Sequence, residues 1–194
     1  MRLTALRIGG EVESWRSLGF DVQDGRLMLG GVTIELTGER AGISAWAVEG
    51  LSEEIEGLPT FDPPEESGPS DHSNGAIGID QVVVLTPDFD RTAQQLDEHG
   101  MPLRRIRDAG GFRQGFRRLG PAILELVEAA SEDRRGLARF WGLVVIVPDL
   151  EELKEQLGDL LGTPTRAVQA GRQIVTVRKN AGLRTRVAFM TPER

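Results

Sequence analysis

The chain has 194 residues, with 30 Asp or Glu against 23 Lys or Arg, a formal net charge of -7, two His and no Cys. This leaves room for one domain or a domain with an extension, excludes disulfides, thiolate metal sites and a Cys nucleophile, and argues against a nucleic-acid partner, whose phosphates need clustered Lys and Arg. No run approaches the ~20 apolar residues of a membrane helix, so no membrane partner is expected, and the opening Met1-Arg2-Leu3-Thr4 lacks an apolar signal segment, so a cytoplasmic location is expected.

In chain order, Leu3 to Ile8 reads as a strand, and Val12, Trp15 and Leu18 share one face of a short helix. Leu29 to Leu36 and Ile43 to Val48 read as further strands. Pro59 to Asn74, with Pro63-Pro64, Gly68-Pro69 and many acids, reads as a linker. Within it, His72 precedes the turn signal Asn74-Gly75, and turn chemistry explains it better than catalysis does. Val82-Val83-Val84-Leu85 is short, β-branched and continuous, as in a strand buried on both faces. A helix follows, with Asp88 as N-cap after Pro87, Phe89, Ala93 and Leu96 on one stripe, and His99-Gly100 at its end. Strands are expected at Leu103 to Arg107, Gly111 to Leu119 and Ala122 to Val127. The same order then recurs: an apolar run at Leu143 to Val147, a helix capped by Asp149 with stripe Leu150, Leu153, Leu157 and Leu160, and strands at Arg166 to Val168, Arg172 to Arg178 and Arg184 to Met190.

The recurrence is visible residue by residue. Thr86-Pro87-Asp88-Phe89-Asp90, then Gln95-Leu96, is restated as Val147-Pro148-Asp149-Leu150-Glu151, then Gln156-Leu157. Arg113-Gln114 is likewise restated as Arg172-Gln173, giving an internal repeat with a period of about 60 residues. Leu29 to Leu36 also aligns without a gap on Leu119 to Leu126, which sets Glu35 over Glu125. The expected fold class is therefore α+β, built from repeated βαβββ units. Residues 1-58 form a degenerate unit plus a truncated second one, 59-75 the linker, and 76-194 two full units at 76-130 and 138-192.

Paired units of this kind resemble the vicinal oxygen chelate superfamily, which includes glyoxalases, bleomycin-resistance proteins and extradiol dioxygenases. Gly78-Ile79-Asp80-Gln81-Val82-Val83-Val84-Leu85-Thr86-Pro87-Asp88 is similar to its opening strand and helix cap, and Ile123-Leu124-Glu125-Leu126-Val127-Glu128 to its closing strand. The resemblance implies a curved mixed sheet forming a cup, with helices on its outer face. In that family a divalent metal is held in the cup by one first-strand and one fourth-strand residue of each unit. Carried over by position, these are Gln81 and Glu125 in the first unit and Gly142 and about Ala188 in the second. The latter two cannot ligate, so the expected metal-ligand set is none and no cofactor is expected.

Alternation places Gln81 with Val83 and Leu85, and Glu125 with Ile123 and Val127, as polar groups in an apolar concavity. Arg113 is a candidate bidentate clamp for an acid group, Gln114 its orienting partner, and Trp141 a lining aromatic. The first expectation is a metal-independent protein that binds a small organic, anionic molecule at Gln81, Glu125, Arg113, Gln114 and Trp141. The alternative is a lyase, isomerase or dioxygenase-type enzyme in which Glu125 is a ligand or general base and a homodimer partner completes a divalent metal site. A third possibility is an interaction module whose cup is filled by the acidic linker. Residues 49 to 66 hold seven acids and no base, and 104 to 118 hold six Arg and one acid.

Overall fold

Gln81 and Glu125 lie on adjacent strands, on one face of the middle of an eight-stranded sheet, and the local chemistry of the chain explains how they come to be there. The architecture is that of a computed structural model, which describes all residues except 39-40, 65-67, 69, 130-134 and 194. The N-terminal part comprises β1 (Leu3–Gly9), α1 (Val12–Arg16), β2 (Arg26–Leu29), β3 (Val32–Thr37) and β4 (Gly42–Val48). The next unit comprises β5 (Gly78–Thr86), α2 (Phe89–Glu98), β6 (Arg105–Asp108), β7 (Arg113–Leu119) and β8 (Ala122–Glu128). The last comprises β9 (Arg139–Ile146), α3 (Leu150–Leu157), β10 (Thr165–Arg166), β11 (Gln173–Thr176) and β12 (Arg186–Met190). Two sheets result, ordered β2-β3-β1-β4 and β10-β11-β12-β9-β5-β8-β7-β6.

The large sheet is two copies of one design joined at its centre. β5 pairs in parallel with β8 and β9 in parallel with β12, while β5 and β9 run antiparallel to each other. The helices start where their caps dictate. The Asp88 carboxylate accepts the Arg91 N–H, and that of Asp149 accepts the N–H groups of Glu151 and Glu152, satisfying donors that the first helical turn leaves free. The edge strands are shorter than expected. β11 ends at Thr176, beyond which Leu161 bridges Val177, and β10 holds only two residues.

The two faces of the large sheet differ. Val82, Val84, Leu124, Leu126, Leu143 and Phe189 belong to a core shared with Phe89 and Leu96 of α2, Leu150, Leu153 and Leu157 of α3, and the N-terminal sheet. Phe20 stacks on Phe189, and Trp46 meets Phe140 edge-on. The N-terminal sheet and both helices therefore cover one face. Each buried Leu or Phe there contributes about 1.5–3 kcal/mol. The other face curves into an open cup.

Residues 59-75 pack along the N-terminal part and do not enter the cup among the described residues. Phe61 donates its backbone N–H to the Trp46 carbonyl, and the Ser70 hydroxyl accepts the Met28 N–H. His72 is buried, taking the Asp21 N–H on Nδ1 and lying 2.9 Å from the Met28 carbonyl through Nε2. Occlusion of the cup by the acidic linker is thus not what the described residues do: Phe61, Ser70 and His72 have their partners in the N-terminal part. Among the described residues of the acidic stretch, the ion pair formed runs from Glu56 to Arg91 of α2, away from the 104-118 hairpin.

Candidate functional site

The cup encloses a cavity of about 1080 Å³, and Gln81, Val83 and Leu85 of β5 line it together with Gln114, Glu125 and Val127. Their grouping follows from the period of two along each strand. The second unit supplies Val144, Ile174, Ala188 and Met190 as apolar floor. Trp141 and Phe112 stand partly exposed at the rim, and the Arg186 guanidinium lies 4.9 Å from the Trp141 ring centre.

Glu125 is the single carboxylate among the lining residues. Its register neighbours are Val83 on β5 and Phe116 on β7. Gln114 reaches it diagonally, donating through Nε2 to Oε1 at 2.8 Å, and accepts at its own Oε1 from Arg107 Nε at 2.7 Å. Burial pushes the Glu125 carboxyl above its ordinary pKa. The Arg107 charge works in the opposite direction, and the Asp80 charge adds to the rise. Gln81 is buried and its side chain makes no hydrogen bond among the described residues, so its amide is left for the cavity.

Asp80 is held by a bulge. Ile79 pairs with Val145 and Gln81 with Val144, so Asp80 is the extra residue, and its carboxylate accepts from Arg172 Nη2 at 2.6 Å. Arg172 also donates through Nε to the Thr191 carbonyl at 2.6 Å, tying β5, β11 and the residue beyond β12 together beside the site. Bulges commonly re-aim side chains in this way.

Arg113 faces away from the cavity, contrary to its expected place at the ligand. Alternation sends Gln114 inward and Arg113 outward, where it lies over Phe89 and binds Glu128 and Asp90. Those two carboxylates, Glu128 first, hold its guanidinium more firmly protonated than usual. The cations that do line the cavity are Arg107, Arg139, Arg166, Arg178, Lys179, Arg184 and Arg186. All but the first belong to the second unit, and of these the comparison of the copies singled out Arg166 alone, which follows Gly162-Thr163-Pro164 as Arg104 follows Gly100-Met101-Pro102. A composition signal was present, since residues 160-192 hold five Arg and one Lys but no acid.

The four positions that would hold a metal do not fit one. Gly142 and Ala188 carry no donor atom, and a Cβ on Gly142 would come within 2.4 Å of the Arg186 carbonyl oxygen, so no side chain is accommodated there. Gln81 and Glu125 alone offer one amide and two carboxylate oxygens, one of the latter already accepting from Gln114, fewer than a hard cation takes. Among the described residues no group of three or more His, Asp or Glu is disposed around a common point.

This cup of paired βαβββ units, with helices on its outer face, is a vicinal oxygen chelate, or glyoxalase-like, fold. Among solved structures, methylmalonyl-CoA epimerase from Mycobacterium tuberculosis is similar at TM-score 0.52 and 20% identity, over 63% of this chain and 92% of that one. A hypothetical protein from Bacillus halodurans matches at TM-score 0.49 and 16% identity, over 60% and 94% of the two chains. A Streptomyces coelicolor methylmalonyl-CoA epimerase variant in complex with 2-nitronate-propionyl-CoA matches at TM-score 0.48 and 15% identity, over 60% and 97%. No protein-family model and no curated protein sequence matches the chain. Among the described residues, no helix is long and apolar enough to cross a membrane.

Proposed function

We propose that the cup binds a small organic anion, with its apolar body on Val83, Val144, Ala188 and Met190, its polar core against Gln81 and Glu125, and its charge toward the cationic wall. The observation that carries this reading is the make-up of the cavity: about 1080 Å³, an apolar floor, one buried carboxyl and seven cations. A few convergent polar groups in an apolar concavity are the usual composition of a ligand site. The binding needs no metal held by this chain, because the donor positions do not fit one. Equilibrium binding of a library of organic anions, compared between the wild type and Glu125→Gln, tests the proposal. About a tenfold loss of affinity is expected for at least one ligand; no binding, or binding indifferent to the substitution, would refute it.

A second reading is favoured by one observation, the burial of the Glu125 carboxyl against the cavity beside Gln114, which pushes its pKa up. A buried carboxyl steadied on one oxygen by Gln114 can take a proton from a bound carbon acid and return it, as a lyase or isomerase requires. Exchange of a ligand C–H with deuterated water, lost in Glu125→Gln while binding persists, supports this reading. Absence of exchange with every ligand that binds counts against it.

A further inference from the structure

The second unit carries a charge anomaly that binding of any single acid group would not use up. Residues 160-192 hold six cations and no acid, in a chain whose acids outnumber its bases by 30 to 23. Arg172 is neutralised by Asp80. The other five, Arg166, Arg178, Lys179, Arg184 and Arg186, all line the one cavity, and none has an acidic partner among the described residues. They come from three separate places: Arg166 from β10, Arg178 and Lys179 from the cap and first residue of the 3-10 segment Lys179–Ala181, and Arg184 and Arg186 from the loop before β12 and the start of β12. Outside the second unit both habits occur: Arg104, Arg105, Arg107, Arg117 and Arg118 of the first unit form no ion pair among the described residues, whereas others do. Arg7, Arg16, Arg26, Arg91 and Arg113 are each ion-paired.

Like charges gathered over an apolar floor repel one another, and the low-dielectric surface beneath strengthens that repulsion. All five residues are exposed, so water and salt screen part of that repulsion, and a ligand of matching charge relieves it further. Four of the five are Arg, whose planar fork binds phosphate oxygens in pairs, and Arg186 is steadied over the Trp141 ring. A lone carboxylate would neutralise one of the five, whereas a chain of phosphates carries several charges spaced to meet several forks. We infer that the second half of the cup is a subsite for the diphosphate-type group of an organic ligand, a conclusion that rests on the cup being the binding site proposed above.

Inorganic pyrophosphate is the probe, because it needs the cations and neither the apolar floor nor Glu125. Titration calorimetry and thermal unfolding are expected to show binding that weakens about tenfold between roughly 20 and 200 mM NaCl, through screening. The Arg178→Ala/Arg184→Ala double variant should weaken binding by a further factor of about ten. Without ligand it should unfold at the same temperature as the wild type or higher, because repulsion is removed. Arg104→Ala/Arg118→Ala, which alters exposed residues outside the cavity, should leave pyrophosphate affinity unchanged. The inference is overturned if pyrophosphate does not bind, if the Arg104/Arg118 control loses as much affinity as the Arg178/Arg184 variant, or if malonate binds as tightly as pyrophosphate. Loss of pyrophosphate binding with an intact Glu125-dependent organic ligand would fail this inference alone. Pyrophosphate binding with Glu125-indifferent organic ligands would instead fail the proposed function alone.

Discussion

Asp80→Ala removes the acidic half of a pair whose side chains are 3% (Arg172) and 9% (Asp80) exposed and whose N–O distance is 2.6 Å. Arg172 cannot swing to water without giving up the Thr191 carbonyl, so its charge stays buried and unpaired. Breaking a buried pair in this way costs about 3–5 kcal/mol, a large part of the 5–15 kcal/mol that holds a typical domain together. For a chain of this length each kcal/mol lowers the melting temperature by roughly 2–4 °C, so a drop of about 6–20 °C is expected by calorimetry. Arg172→Met added to Asp80→Ala should recover most of the loss, because no charge is then left in the interior. The same substitution reaches the cup. Asp80 contributes to the rise of the Glu125 pKa, so its removal, together with the uncompensated Arg172, should move that pKa down, as read by NMR titration of the carboxyl. A loss below about 1 kcal/mol would refute the reasoning, since a cost so small is what solvent-reached pairs show.

Glu125→Gln should change the pH dependence of stability. Burial raises the folded-state pKa, so the protonated carboxyl favours the fold below its ordinary value of 4.5, and that contribution is lost as pH rises through the higher folded value. Urea unfolding should therefore show the variant gaining on the wild type as pH rises above 4.5, and equal differences at all pH values would contradict the assignment. Gly142→Ala should cost about 1–3 kcal/mol in urea unfolding, because β12 backbone occupies the space its methyl needs, and an unchanged midpoint would show that β12 shifts freely. Val83→Arg should set a cation across from Glu125, lower its pKa and weaken the binding of bulky cup ligands about tenfold or more. An unshifted carboxyl resonance pH profile would show that the new side chain leaves the cup.

What was legible in the sequence is what local chemistry decides. Pro-Asp at a helix start fixes the cap and so the helix register, and alternation along β5 and β8 fixes which residues share the cup, so Gln81 and Glu125 could be set on one face from spacing alone. Three features were hidden because they depend on contacts between distant segments. The Asp80 bulge is stabilised by Arg172, 92 residues away, and no spacing rule joins the two. Arg113 and Gln114 are adjacent, so alternation must send one of them out of the cup, but only the positions of Asp90 and Glu128 show which. The cationic wall was obscured by the repeat itself. Aligning the copies drew attention to positions they share, whereas Arg178, Lys179, Arg184 and Arg186 belong to the second unit alone.

The N-terminal sheet supplies an internal control for the site. Its hairpin from β2 to β3 turns at Gly30 and that from β7 to β8 at Gly120, both in the left-handed region, which is why the two hairpins align without a gap. Glu35 therefore occupies the place of Glu125, and the strand pairs have the same sense. The neighbours are what differ. Glu35 is flanked by Arg7 on β1 and Arg26 on β2, and both are ion-paired to it. Glu125 has Val83 and Phe116 at those two positions. A Glu between two Arg is a structural ion cluster with its charge satisfied inside the sheet. The same Glu between Val and Phe, with one amide donor and an open cavity beside it, keeps its charge unsatisfied and its proton affinity high. Within one chain the scaffold thus presents the two fates of this position, and the replacement of two cations by apolar side chains distinguishes the carboxyl that only stabilises a sheet from the one available to a ligand.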